Sequence, residues 1–248
     1  MTRRALPLLL VLAASVLALA ACGGGSKSKS SSSSGLPQGT KPVKLDPADF
    51  TTSIDNQYWP MRPGSHWVYR EVENGEAQRV DVTVTNRTKM LGGIEARVVH
   101  DRVSRNGETL EDTYDWYAQD SDGNLWYLGE NTAEYENGKL KTKEGSWAYG
   151  ADGAEAGVVV PASPKQGMTY REEYYAGHAE DAAEVLNVGS QVQVPFGRYQ
   201  GAMLTRNFST IEPTVEEMKL YAQGVGPVME LLVSGGSGRT ELLSYTNG

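Results

Sequence analysis

The densest set of residues able to do chemistry is acidic: Glu172, Glu173, Glu180, Asp181 and Glu184. Converging carboxylates can hold a cation, or split their proton affinities so that one serves as acid and another as base. Pairing of the stretches 168–175 and 180–188 as a hairpin would bring Glu173, Glu180, Asp181 and Glu184 near one another. Alternation works against full convergence, because neighbours such as Glu172 and Glu173 point to opposite sides of a strand. A solvated acidic face therefore explains the cluster better than a carboxylate-based hydrolase, and no residue is assigned a catalytic role.

Other constellations are weaker still. Asp120-Ser121-Asp122-Gly123-Asn124 places oxygen ligands at alternate positions, as a calcium loop does. An EF-hand loop begun at Asp120 needs Gly at 125 and Glu at 131, where the chain has Leu125 and Asn131. A hairpin turn suits these residues better. The three histidines, His66, His100 and His178, lack metal-ligand spacing. No Gly-x-Ser-x-Gly elbow, P-loop or dinucleotide fingerprint occurs. Neither a metal nor a cofactor is expected.

One residue has nameable chemistry. Arg3 and Arg4 precede the uncharged apolar stretch Ala5 to Leu19, and Leu19-Ala20-Ala21-Cys22 follows. This is the layout of a secretory signal, and its ending resembles a bacterial lipobox. Small Ala20 and Ala21 fit a peptidase cleft, and the Cys22 thiol is the nucleophile that accepts diacylglycerol. Cys22 is the sole cysteine, so no intramolecular disulfide can form. The mature protein is expected to be exported and lipid-anchored, palmitate-type chains included, on the extracytoplasmic face of the cell membrane. Two or more chains hold stably, at about 0.8 kcal/mol per buried CH₂.

Composition divides the chain into three parts. Residues 1–21 are the signal peptide. Residues 22–45 carry the lipidated Cys and a Gly/Ser/Lys linker, expected to be disordered with a reach on the order of 25 Å. Residues 46–248 are expected to form a single all-β domain. Charge follows the same division. Of 23 basic and 31 acidic residues, six basic and two acidic fall in 1–49, which leaves 50–248 at a net −12. Such an acidic body excludes nucleic acid as a partner, since phosphates require clustered Lys and Arg.

The elements of the body read as strands. Val80, Val82 and Val84 alternate with Asp81, Thr83 and Thr85, the period of a half-buried strand. Asn74-Gly75, Asn106-Gly107 and Asn137-Gly138 each suit a tight turn with positive φ at both residues. Asp46-Pro47 starts a short helical turn, with Asp46 as cap. Fourteen strand-like runs between 66 and 246 joined by hairpins predict an antiparallel meander, forming a strongly curved sheet or partly closed barrel. The Ala- and Glu-rich stretch 179–186 is read as a strand, and 150–165 as a long connection rich in Gly and Pro.

Several blocks together carry a resemblance: Ile54-Asp55-Asn56-Gln57-Tyr58-Trp59-Pro60, then Pro63-Gly64 and Trp67-Val68-Tyr69; 111–120; Gly123-Asn124-Leu125-Trp126-Tyr127; Glu144-Gly145-Ser146-Trp147; Glu173-Tyr174-Tyr175 with Gly177 and Ala179-Glu180-Asp181; and Tyr221-Ala222 before Gly224-Val225-Gly226. They resemble a family of uncharacterised bacterial exported proteins and lipoproteins that has no assigned reaction. The resemblance implies export and one β-rich domain, and carries over no catalytic residues. It implies an aliphatic residue at 178, where this chain has His178, which disfavours a His-dependent mechanism. The expected function is a non-enzymatic envelope domain that binds a protein or polymer. The alternative is a carrier or sensor of a lipid-like ligand, for which the 5 Trp and 13 Tyr could line a cavity.

Overall fold

The computed structural model describes residues 35–248. The signal segment and Leu19, Ala20, Ala21 and Cys22 lie outside the described residues. A 3-10 turn, Pro47–Asp49, opens the body, and its cap Asp46 accepts from the Ala48 N–H at 3.0 Å. Sixteen strands follow: β1 (Phe50–Thr51), β2 (His66–Glu73), β3 (Glu76–Leu91), β4 (Ile94–Arg105), β5 (Glu108–Asp120), β6 (Leu125–Glu136), β7 (Lys139–Thr142), β8 (Trp147–Ala148), β9 (Glu155–Val160), β10 (Thr169–Arg171), β11 (Glu173–Tyr174), β12 (Asp181–Val194), β13 (Gly197–Ser209), β14 (Glu216–Ala222), β15 (Gly226–Ser234) and β16 (Gly238–Thr246). Among the described residues no helix is long and apolar enough to cross a membrane.

The strand order is β10-β12-β13-β14-β15-β16-β2-β3-β4-β5-β6-β9-β11, and neighbours run antiparallel. The result is a nearly closed, barrel-shaped sheet, in accord with the curved sheet read from the alternation. The expected Asn-Gly turns are present: Asn74, Asn106 and Asn137 have φ of 49°, 53° and 53°. The Ala/Glu stretch is indeed strand, the start of β12.

Two features differ from the reading of the sequence. First, the 150–165 connection contains β9, which pairs with both β6 and β11. Its run Ala156-Gly157-Val158-Val159-Val160 is wholly buried, so the glycines and prolines bracket a strand rather than extend a loop. Second, contact with the body begins before residue 46. The Arg171 N–H donates to Pro37 O at 2.8 Å. Arg171 Nη1 donates to Gly39 O and Lys41 O at 2.8 Å each, while its Nη2 holds Ala156 O at 2.7 Å. Composition hides this clamp, because it uses the carbonyls of 37–41 and not their side chains.

The two edge strands of the sheet, β10 and β11, are consecutive in the chain, and Glu172 alone separates them. The barrel therefore closes along a seam where 169–174 passes β9. The backbones approach so closely that a Cβ at Gly157 would collide with the carbonyl oxygens of Arg171 and Glu172. Glycine is required there for close passage. Around the seam and the β14–β15 turn the core is aromatic. Trp59 lies 5.6 Å from Tyr117, and Tyr117 stacks on Tyr127 at 5.0 Å. Trp147 meets the edge of Tyr127 at 5.4 Å, and Trp67 Nε1 donates to Val225 O at 2.7 Å.

Candidate functional site

Alternation that buries Trp67 and Tyr69 on β2 also turns Glu71 inward, two residues further on. The same parity places Asp101 between Val99 and Val103 on β4, and Glu111, Thr113 and Asp115 before Tyr117 on β5. On β14 it aligns Glu217 and Lys219 with Tyr221. The interior of the barrel is thus aromatic over part of its length and acidic over the rest.

Several of these acids accept a hydrogen bond from a neighbour of their own. Gln78 Nε2 donates to Glu71 Oε2 at 3.1 Å. Thr113 Oγ1 donates to Glu111 Oε1 at 3.0 Å, and the Tyr127 hydroxyl donates to Asp115 Oδ1 at 2.8 Å. Trp147 Nε1 donates to Glu173 Oε2 at 2.7 Å, and Asn207 Nδ2 to Glu172 Oε2 at 2.8 Å. Lys219 Nζ stands 3.6 Å from Glu217 and 3.7 Å from Glu230. Its ammonium serves a group of carboxylates far larger than itself.

Charge without water or counter-charge is unfavourable, so burial raises the proton affinity of an enclosed carboxyl. Burial pushes Glu71 up to about 7, against a smaller opposing effect of Gln78. Burial likewise pushes Glu111 up to about 8 and Asp115 to about 7, although Thr113 and Tyr127 hydrogen-bond their charged forms. Glu172 rises to about 7 through burial, partly offset by Lys219. Asp181 rises to about 6 for the same first reason, offset by Ser209. Asp101, Glu130, Glu173 and Glu230 are all raised by burial, then by neighbouring acids. Burial lowers Lys219, but Glu230 and Glu217 outweigh it and hold the ammonium charged.

The acidic cluster expected from sequence is divided by this geometry. Glu173 and Asp181 meet inside the barrel. Glu173 Oε1 and Asp181 Oδ1 are both enclosed and have no hydrogen-bond partner among the described residues, and after burial the neighbouring Asp181 is the next cause that raises Glu173. Glu180 and Glu184 do not join them. Glu180 is in the 176–180 turn, where it accepts from the Gly177 N–H at 2.8 Å and from the Thr210 hydroxyl. Glu184 faces outward and pairs with Arg206 at 3.1 Å. Glu172, which alternation seemed to exclude, turns inward because it sits between two edge strands and not inside one strand. Among the described residues no set of three His, Cys, Asp or Glu is placed to hold a metal ion. Asp120 spends its carboxylate on the hairpin: Oδ1 accepts from the Asn124 N–H, and Oδ2 from Asn124 Nδ2 and Trp126 Nε1.

Inside, a void of about 20 Å³ is walled by Trp59, Tyr69, Asp101, Glu111, Asp115 and Tyr117, among others. That is room for one water molecule. Trp59 Nε1, Asp101 Oδ1 and Glu111 Oε2 have no partner among the described residues, a donor and acceptor set that suits one water. A second small hollow, of about 30 Å³, is lined by Glu172, Asp181, Asn207, Glu217 and Lys219, among others.

The room is outside. A cleft of about 540 Å³ crosses the outer face of β3–β6 and is bounded by 146–152. Its lining includes Arg87, Lys89, Tyr114, Trp116, Glu130, Asn131, Ser146, Trp147 and Asp152. Lys89 Nζ lies 3.3 Å above the Trp116 ring, and the Arg87 guanidinium 4.8 Å from the Tyr114 ring. His100 stacks on Tyr114 at 4.5 Å. Neither Arg87 nor Lys89 pairs with a carboxylate among the described residues. Gly129 (φ 127°) makes this wall. It bulges β6 opposite Trp116, and a Cβ there would strike the Trp147 carbonyl oxygen. The sequence analysis missed Arg87 and Lys89. Their one signal is a pair of cations two positions apart on an outward strand face of an acidic body.

No protein-family model matches the chain, and no curated protein matches it. Among solved structures, a candidate lipoprotein of Parabacteroides distasonis is similar over 77% of this chain and 99% of its own. The identity is 10% and the TM-score 0.42, a likeness that carries no argument about fold or function.

Proposed function

We propose that the protein is a lipid-anchored domain of the bacterial envelope that works by binding, held at the extracytoplasmic face by acylated Cys22. The observation that carries the anchor is the position of the sole cysteine, directly after Leu19-Ala20-Ala21 and the apolar stretch. The resemblance of the blocks from 54 to 245 to bacterial exported proteins agrees with it. The binding role is supported by a barrel filled at its centre, with its accessible concavity on the outer wall. Open clefts of several hundred Å³ are the usual sites for small ligands and chain segments.

Expression of the full chain with labelled palmitate tests the anchor. The wild type should carry label and fractionate with membranes. Cys22→Ser should carry no label and accumulate unprocessed. Processing and membrane retention of the Cys22→Ser protein would overturn the proposal.

A further inference from the structure

The feature that asks for a partner is the outer cleft. In a body of net −12, Arg87 and Lys89 stand side by side without a carboxylate, parked instead over aromatic faces. Cation–π contact of this kind orders the two side chains but leaves their N–H groups unpaired. An arriving anion then gains charge-assisted hydrogen bonds from pre-ordered donors, without breaking an ion pair first. Glu130 and Asp152 also line the cleft and disfavour a second anionic group there. The cleft is therefore polar from one side to the other and prefers a ligand with spaced charges. Asn131 and Ser146 in the lining offer neutral hydrogen-bonding groups suited to hydroxyls. The cleft is open to solvent, so a chain segment can enter it.

We propose that this cleft binds a segment of an anionic glycan, with its carboxylate or phosphate group against Arg87 and Lys89. This deepens the binding reading above and rests on it for the role, but not on the anchor.

The test is titration calorimetry on the full-length protein in detergent micelles, with three probes: hexagalacturonate, a glycerol-phosphate hexamer and neutral maltohexaose. One or both anionic oligomers should bind, and the stronger of the two names the source of the charge. Maltohexaose should bind at least roughly tenfold more weakly. The double substitution Arg87→Ala with Lys89→Ala should lower anionic binding by roughly tenfold or more. Both residues are exposed, so circular dichroism should stay unchanged. Lys89→Arg should retain most of the affinity. The proposal is overturned if maltohexaose binds as well as the anionic oligomers, if neither anionic oligomer binds, or if the double variant binds as the wild type does. Capture by a protein partner that survives the double variant also overturns it. Palmitate labelling of Cys22 is independent of each of these outcomes, so loss of glycan binding leaves the anchor standing, and loss of the anchor leaves the cleft.

Discussion

The lumen and the outer cleft share one wall, and Glu130 borders both, yet they solve opposite problems. The lumen collects acids with almost no base and little room, and burial raises their proton affinities. The cleft collects two bases with no acid partner and ample room, and keeps its charge. Titration in the lumen bears on stability, whereas charge in the cleft bears on the binding proposed for it. The signs follow from which side of one sheet a residue faces, a choice made by single-residue parity.

The largest effect should come at the seam on which the lumen depends. Gly157→Val places side-chain atoms against the Arg171 and Glu172 carbonyls. It should destabilise by about 3 kcal/mol or more, as overpacking against rigid backbone does, measured by urea denaturation. A wild-type midpoint would separate the lumen from the seam. Next, Lys219→Met removes the ammonium beside Glu217 and Glu230. Loss of one partner of a buried ion pair costs about 3–5 kcal/mol, and that loss should appear near pH 8. It should shrink near pH 5, where Glu172 and Glu230 hold protons.

The pH dependence of the wild type is the third and gentlest test. The folded carboxyls bind protons more tightly than those of the unfolded chain. The folded state therefore carries more protons from the ordinary carboxyl range up to about 8. Stability should be complete near pH 4.5 and fall as pH rises through 6–8, the window of Asp181, Glu71, Asp115, Glu172 and Glu111. Each extra proton contributes about 1.4 kcal/mol per pH unit. Tm measured by calorimetry should accordingly be higher near pH 5 than near pH 8. Glu111→Gln should flatten this slope and raise Tm near pH 8, because an amide has no buried charge to bear there. A Tm that climbs toward pH 8 would show the lumen to be hydrated and ionised.

Local order was legible in the residues. Val80, Val82 and Val84 announce β3, and Asn-Gly pairs announce the hairpins between β2 and β3, β4 and β5, and β6 and β7. Closure was not legible, because it depends on Gly157 meeting Arg171 and Glu172 across the barrel, and no local pattern encodes that meeting. The buried acids were hidden for a related reason. Glu71 and Asp115 follow the inward parity of Trp67 and Tyr117, but a carboxylate on a strand normally signals the solvent face. Glu173 and Asp181 were picked out because they cluster in sequence. Glu111, Asp101 and Glu130 cluster only in space.

Arg171 has a mechanical meaning. A pull applied through the N-terminus reaches the body at 37–41, where one guanidinium and one backbone N–H grip three carbonyls beside the seam. The load is then shared across several hydrogen bonds in shear, and passed through Ala156 O to β9. It does not unzip an edge strand one bond at a time. A domain hung from its first residues would keep its shape under tension because its point of suspension is also the place where its wall is joined.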